Sequence, residues 1–303
     1  MNIKTINFMG LRKFFFVVAV VLMLGSVASL VTKNLNLGLD FTGGALIELN
    51  YQEAADLESI RQTLREAGWA DAIVQNFGAS TDVIVRLASE DPNLGSEIAR
   101  LIQREDAGEV TVKRVEFIGP QVGEELRDQG GLGMLLAMAG ILLYVTLRFQ
   151  MKFAVAAIAA LLHDVIFVLG FFAFFGLQFD LTVLAAVLAV IGYSLNDTIV
   201  VFDRVRENLR LMRKTELEEV INVSTTQTLG RTLATSASTI LVLLALFWFG
   251  GENIHGFATA LLIGVGIGTY SSIYVSNGLL MTFKLTREDL IPPQIEEAVD
   301  DRP

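Results

Sequence analysis

Six stretches of this chain are apolar for long enough to cross a bilayer, and nothing else in it limits the fold as much. They cover roughly 14–32, 132–149, 153–176, 181–202, 229–250 and 257–281. A helix satisfies all its own backbone groups in hydrocarbon, so apolar runs of about 18 residues or more are read as membrane-spanning helices. The whole chain has 303 residues, is 52% hydrophobic and has a mean hydropathy of +0.53, far from a soluble globular composition.

The basic residues predict the topology. Lys4, Arg12 and Lys13 precede the first run, and Arg148 and Lys152 lie around the second junction. Arg204, Arg206, Arg210, Arg213 and Lys214 follow the fourth run, and Lys284 and Arg287 the sixth. The short loops around Asp180 and Glu252 hold no Lys or Arg. The positive-inside rule then puts both termini in the cytoplasm, in keeping with an even number of spans. A competing reading makes the first run a signal peptide, with Ser26-Val27-Ala28 as the cleavage region. The run continues to about Val31, and cleavage would leave five spans, so a retained helix is expected.

Between the first two runs lies a polar segment, residues 33–131, with 9 basic and 18 acidic residues against a net charge of −10 for the chain. That balance argues against a nucleic-acid partner. Ala45, Ile47, Leu49 and Tyr51 alternate as in a half-buried strand, and Leu57, Ile60 and Leu64 recur at helical spacing before Gly68, the expected C-cap. Residues 72–77 and 81–87 read as strands joined by a turn at Gly78-Ala79-Ser80. Ile98, Leu101 and Ile102 mark a second helix, and 110–118 a last strand. The order β-α-β-β-α-β is the ferredoxin-like pattern. The segment contains no His, no nucleophile–base set and no phosphate loop, and the chain has no cysteine for a disulfide or thiolate metal site. The expected layout is therefore an N-terminus and first span (1–32), an outer α+β head (33–131), spans two to six (132–282) and a tail (283–303).

Ionisable residues inside the apolar runs point to function. An Asp at the centre of a spanning helix costs about 2.5–3.5 kcal/mol. Asp197 sits about 7 Å inside the edge of the fourth run by helix rise, too deep for its short side chain to reach water unaided. It needs a partner or a wet cavity. The fifth run offers Gln227, Arg231, Thr235 and Ser238 on one face, with Arg231 entering at similar depth. Simple snorkelling of Arg231 to the surface is the plainer alternative. In the third run His163 and Asp164 suit either a proton relay or a satisfied pair that fixes helix register. Gly264, Gly268, Ser272 and Ser276 form a small-residue seam on the sixth run, and Ala185, Ala189, Gly192 and Asn196 another on the fourth. Both are expected to pack helices, with Asn196 continuing its seam while Asp197 carries charge.

These residues also carry a family resemblance over roughly residues 10–280. Leu37-Gly38-Leu39-Asp40-Phe41-Thr42-Gly43-Gly44 resembles the signature that follows the first span in the SecF family. Ile191 to Thr198, running on through Val201-Phe202-Asp203-Arg204, is similar to that family's fourth-helix motif. Leu162-His163-Asp164, Gln227 to Thr232 and Gly264 to Ser272 also fit. A sister subunit, SecD, has a close variant of the first signature but a much longer outer region. The resemblance implies an α-helical membrane protein of six transmembrane helices, half of an RND-type exporter, with an extracytoplasmic ferredoxin-like domain between helices one and two. It implies a bacterial inner-membrane location, pairing with SecD, work beside the SecYEG channel and association with YajC. It further implies a non-enzymatic role that uses the transmembrane proton gradient, with no bound cofactor or metal, to help complete polypeptide export. The family's proton-coupling Asp and Arg map onto Asp197 and Arg231. His163, Asp164, Asn196 and Thr235 are then relay or structural positions, and Gly38, Asp40, Gly43 and Gly44 the signature positions. The tail after Lys284 matches no family pattern.

Two other functions fit parts of the pattern. An RND-type proton-driven exporter of small molecules or lipids shares the buried acid. An intramembrane aspartyl protease needs two facing carboxylates. Helix-rise counting sets Asp164 and Asp197 roughly 8 Å apart in depth, which disfavours it.

Overall fold

The polar segment folds as its alternation predicts. The computed structural model describes residues 5–105, 110–212 and 214–290; Lys4, Arg213 and the tail beyond residue 290 lie outside them. Strand β1 (Asn36–Leu37) and the short helix α2 (Leu39–Thr42) follow the first long helix, α1 (Arg12–Lys33). Then come β2 (Gly44–Tyr51), α3 (Leu57–Glu66), β3 (Ile73–Phe77), β4 (Ala79–Leu87), α4 (Leu94–Glu105) and β5 (Val110–Ile118). The sheet runs β3-β4-β2-β5 with every neighbouring pair antiparallel, which is the ferredoxin-like arrangement.

Ala45, Ile47 and Leu49 point to one face of β2 and are fully buried under α3 and α4 with Ile60, Leu64, Ile98 and Ile102. The opposite face is not simply wet. Leu46 and Ile84 form a second small cluster there with Leu39 of α2, so β2 is covered on both sides. Helix α3 starts where the Asp56 carboxylate accepts the amides of Glu58 and Ser59, and it stops at Gly68, whose φ is +95°. The β3–β4 turn is tighter than the sequence indicated. Only Gly78 separates the strands, at φ +78°, because a register shift at Asn76/Phe77 lets β4 begin two residues early.

All six apolar runs are helical. Besides α1 they form α5 (Pro120–Arg148), α6 (Met151–Phe175), α7 (Leu181–Leu211), α8 (Leu217–Phe249) and α9 (Glu252–Thr282), with β6 (Gln178–Phe179) between α6 and α7. Each is long and apolar enough to cross a membrane. Three helices extend well beyond their apolar runs. Helix α5 starts at Pro120, a residue suited to a first helical position, and α8 starts at Leu217, just ahead of Glu218 and Glu219 in its first turn. Helix α7 continues nine residues past Phe202, mostly polar outside but with Val205 and Leu209 still buried.

Helices α6, α7 and α9 form the buried centre, and α1, α5 and α8 flank it. The seam on α9 is what lets α7 approach: Gly264, Gly268, Ser272 and Ser276 are buried, and a Cβ on Gly264 would lie 2.1 Å from Val190 Cγ2. The seam expected on α7 does not pack within the chain. Ala185, Ala189, Gly192 and Asn196 all lie exposed, because α7 turns its Val183, Val187, Val190 and Ser194 face inward instead.

Candidate functional site

The root of the head is pinned to the membrane helices by the signature residues. β1 pairs in parallel with β6, the strand just before α7. Gly38 N–H donates to Phe179 O at 2.8 Å. The Asp40 carboxylate reaches across to accept the Leu181 amide at 3.0 Å, and so caps the N-terminus of α7 beside that helix's own cap, Asp180. Gly43 closes α2 at φ +66°, and a Cβ there would lie 2.6 Å from Pro120 Cα at the start of α5. Gly44 opens β2 at φ +110°, with Leu87 O where its Cβ would be, at 2.1 Å.

Arg86 of β4 completes this joint, and sequence reasoning missed it. It is buried and donates to Leu37 O at 3.1 Å and to Asn36 Oδ1 at 3.2 Å. Burial pulls its pKa below the usual arginine value. A lone arginine in the alternating strand 81–87 was the available signal, since a cation there needs a fixed acceptor.

Deeper in the bundle three helices meet on one carboxylate. Asp164 of α6 is 0% exposed. Its Oδ1 lies 3.0 Å from His163 Nδ1. Its Oδ2 accepts hydrogen bonds from Ser194 of α7 at 2.5 Å and from Ser271 of α9 at 2.6 Å. His163 is also buried, with Nε2 unpartnered, and its ring faces that of Tyr270, whose hydroxyl donates to Phe15 O of α1 at 2.6 Å. Ser194 and Ser271 were missed as partners. Ser194 stands three residues before Asp197, and Ser271 beside the seam residue Ser272.

Asp197 is 3% exposed, and its Oδ2 has no hydrogen-bond partner among the described residues. Two contacts set the register of α7 against α8: Ser224 donates to Arg204 O, and Tyr193 donates to Ser236 Oγ. Four residues on from Tyr193 is Asp197, and four back from Ser236 is Thr232, so these two share a level. Thr232 is buried and its hydroxyl is likewise unpartnered. Among the described residues no ion pair joins Asp197 to Arg231, which lies exposed beside Thr232, although Arg231's charge acts on Asp197 through space.

Of the stripe Gln227, Arg231, Thr235 and Ser238, only Gln227 bonds across to α7, where it accepts from Asn208 Nδ2 at 2.9 Å. Gln227, Arg231 and Ser238 are exposed, and the Thr235 hydroxyl donates to its own helix at Arg231 O. The inward face is one step round: Ser224, Thr225, Thr228, Thr232 and Ser236 are buried. Ser236 bonds Thr269 of α9 at 2.8 Å and Thr225 accepts from Asn277, so hydroxyls link α7, α8 and α9. The Ser194 bond also brings Asp164 to within one helical turn of Asp197, about 4.5 Å along the axis, closer than counting from the apolar edges indicated. Even so, Asp164 is held by His163, Ser194 and Ser271 rather than by Asp197.

A ferredoxin-like head on a six-helix bundle, with a glycine-rich joint and buried acids in the bundle, defines a multi-pass membrane protein of the SecD/SecF export class. Residues 98–286 match the family model for the C-terminal part of the protein export membrane proteins SecD/SecF, and residues 28–55 match the SecD/SecF GG motif. Along its whole length the chain is 60% identical to the protein translocase subunit SecF of Pseudomonas aeruginosa, and it covers all of that protein. It is 40% identical to the Escherichia coli O157:H7 protein of the same name, over 99% of this chain and 94% of that one. The crystal structure of SecDF, a translocon-associated membrane protein from Thermus thermophilus, superposes with a TM-score of 0.85 at 37% identity, over 93% of this chain and 39% of that one. The chain thus spans about two fifths of the SecDF polypeptide. It belongs to the SecF family of protein translocase subunits.

Proposed function

We propose that the chain is a non-enzymatic, proton-driven accessory subunit of Sec translocation, and that it acts with a SecD partner beside the SecYEG channel. YajC is a further partner on this reading. The observation that carries it is Asp197: a buried carboxylate with an unpartnered oxygen, level with an unpartnered threonine, inside a membrane-crossing helix. Such a group is expensive unless it is used. Asp197 takes up and releases the proton, and Arg231 biases its charge from the exposed flank of α8. The polar side chains exposed on α8, with the bare face of α7 at Ala185, Ala189, Gly192 and Asn196, are where the SecD half docks and completes the proton path. The positive-inside rule places the head in the periplasm, where it holds or moves the emerging polypeptide.

One charge crossing 100 mV is worth about 2.3 kcal/mol, enough to shift a two-state population nearly fiftyfold. The test is Asp197→Asn in vesicles that contain the chain with its partner and the channel. Proton-gradient stimulation of export is expected to vanish while the complex stays assembled. Undiminished stimulation by the variant refutes the reading.

A further inference from the structure

The fourth-helix motif runs on to Asp203 and Arg204, and the proton site leaves those residues without a task. Asp203 lies at the end of the bundle away from the head, where it is shared by two arginines. Arg148 donates to Asp203 Oδ2 at 3.1 Å, and Arg206 donates to Oδ1 at 3.4 Å. The two guanidinium groups lie over the same ring, that of Phe149, at 5.5 and 5.2 Å from its centroid. Phe149 is itself buried and packs on Phe153 and Phe202. Arg206 has its side chain 18% exposed, and its Nε is buried without a partner. One turn further along α7, Arg210 is exposed and has no ion pair among the described residues.

Two guanidinium groups therefore share one carboxylate over one aromatic ring, and a third lies one turn along the same helix, a local excess of positive charge. Neighbouring basic residues are differently placed. Arg204 pairs with Glu207, Lys152 with Asp289 and Arg12 with Glu218. Arg287 donates to the last carbonyls of α7, Leu209 O and Met212 O. The level is also informative. Arg148 falls at the end of the second apolar run and Asp203 just beyond the fourth, so the cluster lies where the helices leave hydrocarbon. Exposed Tyr144, one turn before Arg148, and exposed Leu147 offer apolar surface directly below it.

We propose that Arg148, Arg206 and Arg210 form a headgroup site for an anionic phospholipid, with the phosphate against the guanidinium groups and an acyl chain along Tyr144 and Leu147. A phosphate oxygen is an acceptor for exposed Arg210 and for the exposed part of the Arg148 and Arg206 side chains, and the planar fork of Arg suits it better than the point charge of Lys. Asp203 then serves as a positioning residue that keeps two of the three cations apart and aimed.

The test uses the purified full chain in a neutral detergent, with native mass spectrometry reading bound short-chain phosphatidylglycerol, phosphatidylcholine or inorganic phosphate. Phosphatidylglycerol is expected to bind several-fold more tightly than the other two. Each arginine replaced by glutamine is expected to weaken it roughly fivefold, from about 1 kcal/mol per basic residue near an anionic lipid. Arg210→Gln is the decisive variant, because Arg210 is exposed and makes no ion pair among the described residues, so its loss leaves the fold alone. Equal binding of phosphatidylcholine, binding of inorganic phosphate as tight as that of the lipid, or unchanged phosphatidylglycerol affinity in Arg210→Gln each overturns the assignment.

Discussion

Removing the hydroxyls that hold Asp164 tests whether the three central helices are joined through that side chain. Ser194→Ala takes away one hydrogen bond to Oδ2 and Ser271→Ala the other. Hydrogen bonds between membrane helices are worth on average about 0.6 kcal/mol and at most about 1.7, so each single variant is expected to lose about 1 kcal/mol. The double variant differs in kind. It leaves a fully buried oxygen with no donor, and an orphaned buried acceptor adds about 1–3 kcal/mol. The expected loss is therefore about 3–5 kcal/mol, with a coupling of at least about 1 kcal/mol beyond additivity. The assay is reversible unfolding of the purified chain in mild detergent by a denaturing detergent, run as a double-mutant cycle. A third variant guards against a trivial packing effect. Adding Asp164→Leu to the double variant removes the stranded acceptor and is expected to recover part of the loss, since apolar replacement of both partners is cheaper than breaking a pair. Single losses near zero, or a strictly additive double variant, would refute the claim that Asp164 is the common anchor of α6, α7 and α9.

Two further predictions concern the head. Gly44→Ala is expected to cost about 2–4 kcal/mol, because it puts a Cβ on a residue at φ +110° and drives it into Leu87 O; limited proteolysis should show the head opening, and a head as resistant as the parent's would count against the joint as described. The second is a pH effect: Lys113 bonds Asp82 at 2.7 Å and, with help from Asn50, holds its pKa below the usual carboxylate value. A depressed folded pKa stabilises above the unfolded value of about 3.9 and is lost as pH falls through the folded one. Lys113→Gln is thus expected to destabilise by under about 1 kcal/mol at pH 7 and by nothing once Asp82 is protonated in both states, so a pH-independent difference in thermal unfolding would contradict it.

The head was legible because its strands alternate and its helices are bounded by a capping Asp56 and a Gly at positive φ, all local signals. The apolar runs were equally plain. Their helices ran on past them because hydropathy marks where lipid begins, not where helix ends, and Pro120 and Glu218 were start signals of another kind. What sequence could not supply was rotation about each helix axis. Both polar faces of α8 have comparable spacing, and only packing against α7 decides that Thr228 and Thr232 turn in while Arg231 and Ser238 turn out. The same rotation turns Asn196 outward and Ser194 inward on α7. The partners of Asp164 and Arg86 come from segments far away in the chain, so no local pattern announces them.

Taken together, these contacts make α7 the element through which a proton event and the head communicate, on the proposed function. At one end the helix is held by the signature joint: Asp40 caps Leu181, and β6 just ahead of it is paired to the strand that leads into the head. Asp197 lies 16 residues further along, about 24 Å by helix rise, with Ser194 bound to Asp164 between them. An α-helix transmits axial displacement with little loss, so a shift of α7 as Asp197 changes charge must either break the Asp40 and β1–β6 contacts or carry the root of the head with it. The strength of the joint favours the second outcome. Gly43 and Gly44 admit no side chain, and Arg86 fixes the same segment from the sheet side. Two glycines that tolerate no Cβ are thus placed where slack would uncouple the buried carboxylate from the domain outside the membrane.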